Sequence, residues 1–420
     1  MASILSKEAV APQEMEPLIA ARLVPRPEGP ACVVAIGTAF PADVIQQSTY
    51  HDKLFAMCGV SDESLKAEFK YMCDSSYIDK RHTFVTPELV VQHPELASHG
   101  DASLTTRLAI ANKVIPELAV EATRNAVREW GRPLSSITHM VLTTTSATSV
   151  PGIDVAIARA LHLAPTVQRI CVYQTGFSGG GAVLRIGRLL AESAQNARVL
   201  IIAVEANSVM TFRKPALEPE SLKQPDGFSP ALWVHSTLGD GAAALIMGCH
   251  PIPALRGVPG EHPLFEIHWS AQMVIPDSEA VLKADLSESG LIWHVQKGTL
   301  RDVIVKHLQE ATCMGRDVAG ASMSHSEMFW VVHPGAYLVL EAVEQVLGLE
   351  RKQLQPSHDV LRNFGNCSSP TILFVLDEMR RRSEREDAQT TGVGCTWGLS
   401  VALGPGFNIE VSLLRSFPRL

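Results

Sequence analysis

Two side chains of this sequence could polarise a carbonyl, and a third sits where a nucleophile would be needed. His333 follows the apolar run Phe329-Trp330-Val331-Val332 and precedes Pro334-Gly335. Asn366 lies in Asn363-Phe364-Gly365-Asn366-Cys367-Ser368-Ser369, a turn that opens a helical segment. In α/β folds the ends of strands and the turns into helices are where sites collect. An imidazole Nε2 and a carboxamide NH₂ placed there can both donate to a carbonyl oxygen as it gains negative charge, forming an oxyanion-hole pair. Each residue also has a plainer reading, His333 as a satisfied turn residue and Asn366 as a helix N-cap. Neither can carry an acyl group. The third position is in Val172 to Arg188, VYQTGFSGGGAVLRIGR, where an apolar run breaks at Gly176 and continues as an amphipathic segment. A turn of this kind holds one side chain at a helix N-terminus, where free N–H groups and the dipole stabilise an anionic nucleophile or ligand. That side chain is Phe177, which has no nucleophilic atom.

The elements that would position these residues follow from periodicity. Cys32 to Ile36 is a first strand closed by Gly37, and residues 61–72 begin a helix capped from Ser61. Thr106 to Trp130 carries Leu108, Ala111, Val114, Leu118, Ala122 and Val127 near helical spacing, which predicts a long helix across the core. Strands are expected at Met140 to Thr144, Val199 to Val204, Ala242 to Met247, Phe329 to Val332, Trp397 to Ala402 and Ile409 to Leu414. Helices are expected from Ile153, over Ala336 to Leu347 and over Thr371 to Arg382. The proline-rich stretch 213–233 reads as an active-site or interface loop. Segments 171–248 and 360–415 repeat one plan of turn, helix, strand, Gly-x-Gly and strand, which implies two copies of an α/β unit about a pseudo-twofold axis. The boundaries this suggests are an N-terminal arm over 1–30, a first half over 31–250 and a second over 251–420.

Composition excludes several classes. The 420 residues are 46% hydrophobic with a net charge of −8, enough for a large core and no reason to expect nucleic-acid binding. Arg380-Arg381-Arg382, the densest basic run, reads as a solvated helix end. The eight cysteines include no C-x-x-C pair, so they suit reduced thiols rather than a disulfide frame or a zinc site, with Cys171 and Cys395 expected in the core. No metal site is expected. No apolar run approaches a membrane span. Residues near the start include Lys7, Glu8, Glu14 and Glu16, unlike a signal or transit peptide, and the cytoplasm is the expected compartment, with the plastid or the endoplasmic-reticulum surface as alternatives.

From about residue 30 to 415 the chain resembles plant type III polyketide synthases, the chalcone synthase family of the thiolase superfamily. The motifs that carry the likeness are Trp330-Val331-Val332-His333-Pro334-Gly335, Gly365-Asn366-Cys367-Ser368-Ser369, Leu238-Gly239-Asp240-Gly241-Ala242-Ala243 and Gly404-Pro405-Gly406. The resemblance implies a homodimer of five-layered αβαβα subunits, CoA thioesters as substrates and no cofactor. It implies that a cysteine at the helix-opening turn takes an acyl group. A histidine and an asparagine, matched here by His333 and Asn366, then hold a malonyl thioester carbonyl while it loses CO₂. The nucleophile's position is Phe177. Ser178 and Cys367 are the neighbouring groups that could stand in.

Other positions bear on the substrate. The family's two gatekeeping phenylalanines match Leu238 and Trp293, and Phe212 lies in a matching Thr-Phe-Arg run. Pocket positions match Thr145, Ser146, Ser208, Thr211, Leu282, Ala284 and Ser368. Leu238 in place of an aromatic suits an aliphatic acyl chain, with neutral core drift as the competing explanation. The family's CoA-phosphate cations fall on Glu68, Tyr71 and Ser75, leaving Lys66 and Lys70 nearby. The resemblance thus implies decarboxylative Claisen condensation of long-chain acyl-CoA or similar thioesters with a malonyl-CoA extender. Products would be β-diketones, as in grass wax members of the family, or alkylpyrones or resorcinols. Two alternatives keep less of the chemistry: decarboxylation of malonyl-CoA alone, or a non-catalytic partner that pairs with an active homologue through the surface at Ser149-Val150-Pro151.

Overall fold

A computed structural model describes residues 27–98, 102–216, 228–249, 251–253, 260–320 and 323–419. Most of the arm and much of the 213–233 segment lie outside these residues. The described strands are β1 (Ala31–Ala39), β2 (Asp43–Gln46), β3 (Lys80–Thr83), β4 (His139–Thr144), β5 (Gln168–Tyr173), β6 (Val199–Glu205), β7 (Gly241–Gly248), β8 (Phe265–Val274), β9 (Leu282–Ser287), β10 (Gly290–Val295), β11 (Phe329–Val332), β12 (Trp397–Gly404) and β13 (Asn408–Ser416). Nine of them form one mixed sheet in the order β11-β12-β13-β8-β1-β7-β6-β4-β5.

The internal repeat is visible in that order. In the first half β4 and β6 are parallel, β6 and β7 antiparallel, and β7 and β1 antiparallel. In the second half β11 and β12 are parallel, β12 and β13 antiparallel, and β13 and β8 antiparallel. The halves meet where β1 pairs with β8 over three residue pairs, Ala31 to Val33 against Phe265 to Ile267. Two helices, Gly179–Ala191 and Thr371–Arg385, touch each other, and Gly179–Ala191 packs on strands of both halves. Leu104–Trp130 covers β1 and β7 from outside, and Lys297–Ala319 covers β12 and β13. The result is the expected αβαβα layering.

The glycine run of the Phe177 turn has its cause in this central layer. Glycine is a poor helix former, but a Cβ at Gly180 would lie 2.3 Å from the Ser369 carbonyl oxygen, and one at Gly181 2.6 Å from Glu410 Cβ. The two central helices start against one another, and only glycine lets their backbones come that close.

Several local expectations are corrected. The helix expected from Ser61 is Glu63–Asp74, and Asp62 caps it by accepting from the Leu65 N–H at 3.0 Å. Within the 213–233 segment, Pro230 begins the helix Pro230–Thr237, with Ser229 as its cap. Arg380 is not solvated: it is buried and paired with Asp377 and Glu129. Cys171 is half-buried because β5 is an edge strand, and half-buried Cys395 precedes β12 rather than belonging to it. The long helix starts at Leu104 and ends at Trp130, with Gly131 left-handed at φ 70° as its stop.

Candidate active site

The turn that carries Phe177 is tied down on both sides. After β5, Gln174 and Gly176 have φ of 60° and 55°, and a single 3₁₀ turn, Gly176–Ser178, leads into the helix Gly179–Ala191. The Gly176 N–H donates to Thr145 Oγ at 3.0 Å, and a Cβ on Gly176 would lie 2.7 Å from Pro405 Cγ. Phe177 is 3% exposed. Its ring stacks on Trp293, with centroids 4.5 Å apart and planes 9° apart, and on His333 at 5.9 Å and 23°. The position from which a nucleophile would act is thus filled by the middle ring of a three-ring stack.

His333 and Asn366 converge on one residue, Ser368. The His333 N–H donates to the Val401 carbonyl at 2.9 Å, extending β11 by one residue, and its Nε2 lies 3.0 Å from the Ser368 carbonyl oxygen. A carbonyl only accepts, so the ring carries its proton on Nε2. Burial pushes the His333 pKa down from 6.5 to about 4, with the Ser368 carbonyl opposing the shift. Asn366 is held through its backbone: its N–H donates to the Thr237 carbonyl at 2.9 Å, and its own carbonyl accepts from the Gly239 N–H at 2.9 Å. Its Oδ1 accepts from the Ser368 N–H at 2.8 Å, which fixes the amide orientation and leaves Nδ2 buried without a partner among the described residues. Ser368 is left-handed at φ 63°, and its Oγ is also buried without a partner.

The two donors come together, but they are not both aimed at an empty point. Asn366 Nδ2 is the orphan donor, whereas the imidazole N–H is turned onto protein because the left-handed Ser368 presents its carbonyl to the ring. Any acceptor entering here would meet Asn366 Nδ2 first and would have to draw His333 from Ser368.

A residue that sequence reasoning missed ties the two turns together. Glu205, at the end of β6, is fully buried and accepts from the Thr145 N–H at 3.0 Å, Ser146 Oγ at 2.6 Å and Ser369 Oγ at 2.6 Å. Thr145 supports Gly176, and Ser369 follows Ser368, so one carboxyl links the Phe177 turn to the Asn366 turn. Burial raises its pKa from 4.5 to about 7 against the pull of those hydrogen bonds. The available signal was a carboxylate ending the otherwise apolar run Val199 to Val204.

The remaining positions divide. Leu238 and Trp293 pack in the same apolar cluster as Phe177, and Leu282 joins them. Phe212 does not: it belongs to the other large cluster, edge-on to His235 at 5.8 Å. Ala284 packs against both clusters. Ser208 donates from N–H and Oγ to Asp240, and Thr211 Oγ donates to the Asn207 carbonyl at 2.8 Å. Lys66 pairs with Asp52 at 2.7 Å and Lys70 with Asp74. Neither stand-in nucleophile is poised. Ser178 Oγ donates to the Thr175 carbonyl at 3.0 Å and packs on Gly404, and burial drives the Cys367 thiol pKa far up. Among the described residues, no three His, Cys, Asp or Glu side chains group to hold a metal, and no helix is long and apolar enough to cross a membrane. Phe177 and His333 line one narrow apolar cleft together with Trp233, Leu282, Leu300 and Val339.

Two family models match the sequence. Residues 20–251 match the N-terminal domain of chalcone and stilbene synthases, and residues 266–418 match their C-terminal domain. With the αβαβα layers and the His333, Asn366 and Phe177 positions at the junction of the two halves, these matches show that the chain belongs to the chalcone and stilbene synthase family, the type III polyketide synthases.

Proposed function

We propose that this chain is built for decarboxylative Claisen condensation of aliphatic, long-chain acyl thioesters with a malonyl-CoA extender, and that Phe177 leaves this form without the covalent step. The observation that carries the reading is the buried, unpartnered Nδ2 of Asn366, beside a neutral His333 that shares Ser368 with it. Such a donor costs stability unless a ligand oxygen meets it, and it suits the charge that develops on a thioester oxygen as CO₂ leaves. Trp293, stacked on Phe177, and Leu238, in the same apolar cluster, make the surroundings apolar and favour an alkyl chain over a polar one. Products of the β-diketone, alkylpyrone or resorcinol type would follow. Restoring the nucleophile tests this. Phe177→Cys, given fatty acyl-CoA and labelled malonyl-CoA, should yield labelled polyketide, and the mass spectrum should show an acyl group on the peptide that carries the introduced thiol. No product from fatty or aromatic starters would end the proposal.

A second reading has its own observation. Enolate formation from malonyl-CoA needs the oxyanion donors and no acyl-enzyme, and both donors are intact here. The chain as it stands would then release CO₂ from malonyl-CoA. A second copy is the expected partner, since β5 leaves an exposed sheet edge beside fully exposed Val150.

A further inference from the structure

The helix Pro230–Thr237 ends, as every α-helix does, on carbonyls that its own N–H groups do not reach. The Leu238 N–H closes the last intrahelical bond, to the Val234 carbonyl at 3.0 Å, which leaves over the oxygens of His235, Ser236, Thr237 and Leu238. Arg81, on β3, takes two of them, donating from Nη2 to His235 at 2.8 Å and from Nη1 to Leu238. Gln47 takes the third: its Nε2 donates to the Ser236 carbonyl at 2.6 Å, while its Oε1 accepts from Arg81 Nε at 3.1 Å. The Thr237 oxygen accepts from the N–H of Asn366 at 2.9 Å. Asn366 is thus one of the caps of this helix end. It also pairs with Leu238 as a parallel bridge, closed by the Gly239 N–H on its carbonyl.

Arg81 is 1% exposed, and its three donating nitrogens all go to uncharged oxygens. A guanidinium buried on neutral acceptors is costly, so its place here needs a cause. A cation at a helix C-terminus meets the negative end of the dipole. The planar fork also spans two carbonyls three residues apart, which a single ammonium does not. On its other side the stem packs under the turn that carries Asn366. Gly365 has φ 66°, and a Cβ there would lie 2.6 Å from Arg81 Cδ and 2.7 Å from the Thr237 carbonyl oxygen. One side chain therefore holds both the helix end to which Asn366 bonds and the glycine that precedes it. We infer that Arg81, braced by Gln47, is a positioning residue that sets where Asn366 Nδ2 and the Leu238 side chain stand. This deepens the reading of Asn366 as an oxyanion donor, and rests on it for what Asn366 does but not for how Asn366 is held.

Arg107 supplies the control. It is as deeply buried and is likewise held by uncharged oxygens, but these belong to Leu96, Ser103, Val209 and Phe212. Arg81→Lys and Arg107→Lys both keep the charge and lose the fork, and circular dichroism with Tm reports whether each is folded. In protein carrying isotope-labelled asparagine, the side-chain NH₂ resonances of Asn366 are assigned by their absence from Asn366→Asp. They should shift in Arg81→Lys and stay in place in Arg107→Lys. In CO₂ release from malonyl-CoA, Arg81→Lys should lower kcat by about tenfold with KM within about twofold, because a misplaced donor costs more in the transition state than in binding. Arg107→Lys should keep its kcat. Gln47→Met removes the brace alone and should shift the same resonances, which keeps the test open if Arg81→Lys does not fold. Unmoved Asn366 resonances in the folded variants would overturn the inference. So would equal shifts, or an equal loss of kcat, in Arg81→Lys and Arg107→Lys. Shifted resonances in a protein whose parent releases no CO₂ would uphold the placement of Asn366 by Arg81 while the oxyanion reading fails, and CO₂ release with unmoved resonances would do the opposite.

Discussion

Asn366 keeps a buried amide donor without a partner among the described residues, and His333 keeps its proton on the nitrogen that faces Ser368. Both features are present with a phenylalanine at position 177, so the proposed chemistry that needs only them should be present too. We expect the chain to release CO₂ from malonyl-CoA, and Asn366→Ala to lower that release by about a hundredfold. Unchanged release in the folded variant would show that Asn366 is not a donor to the substrate. Titration adds a second expectation at this scale. The His333 pKa is depressed from 6.5 to about 4, so its contribution to stability is present above the unfolded value and is lost as pH falls through the folded one. Glu205 runs the other way. Its pKa is raised from 4.5 to about 7, so its contribution is present below 4.5 and is lost as pH rises through 7. Glu205→Gln keeps a neutral group of the same shape, so it should gain Tm relative to the parent chain as pH rises from 5 to 8. A difference that stays flat across that range would mean Glu205 does not titrate there.

The strand-turn-helix unit at Phe177 was legible in the sequence because its signals are local: an apolar run, a break at Gly176 and an amphipathic continuation. The helix starting at Thr371 and the strand before His333 were legible for the same reason. What the sequence hid depends on partners far along the chain. Glu205 looks like the last residue of a strand until Ser146 and Ser369 are brought to it. Arg380 looks solvated until Glu129, on the helix Leu104–Trp130, meets it. The turn of the His333 N–H onto Ser368 depends on a left-handed residue in a separate segment. At the level of elements, the glycines of the Phe177 helix carry the testable consequence. An alanine at Gly180 would put Cβ 2.3 Å from the Ser369 carbonyl and 2.5 Å from Ile372 Cγ2. Gly180→Ala should therefore destabilise by about 1–3 kcal/mol through overpacking. Because the displaced backbone follows Ser368, CO₂ release should fall further than stability alone accounts for. A variant with normal Tm would show that the two helix starts are looser than these distances require.

At the scale of the whole molecule, the site exists only because two halves of one repeat are locked together. Phe177 comes from the first half and His333 and Asn366 from the second, while the sheet joint between the halves is only three residue pairs of β1 and β8. Much of the registration must then come from the central helices, where Arg380 pairs with Glu129 across the division and a second ion pair does the same. Arg185, on the Phe177 helix, donates from Nε and Nη2 to the two carboxylate oxygens of Glu410 on β13, both at 2.8 Å. Glu410 is buried, and Arg185 is about a quarter exposed. A bidentate pair of this kind fixes orientation as well as energy. Glu410→Gln keeps the volume but removes the charge, leaving a guanidinium with partial access to water. The loss should be about 2 kcal/mol, below that for a fully buried pair because Arg185 can rehydrate. If the pair sets the register between halves, the same substitution should also shift the Phe177 turn relative to His333. The readout is decarboxylation by the Glu410→Gln chain measured well below its Tm. A fall there, with circular dichroism unchanged, would assign the pair a positioning role, whereas a lower Tm with full CO₂ release would confine it to stability.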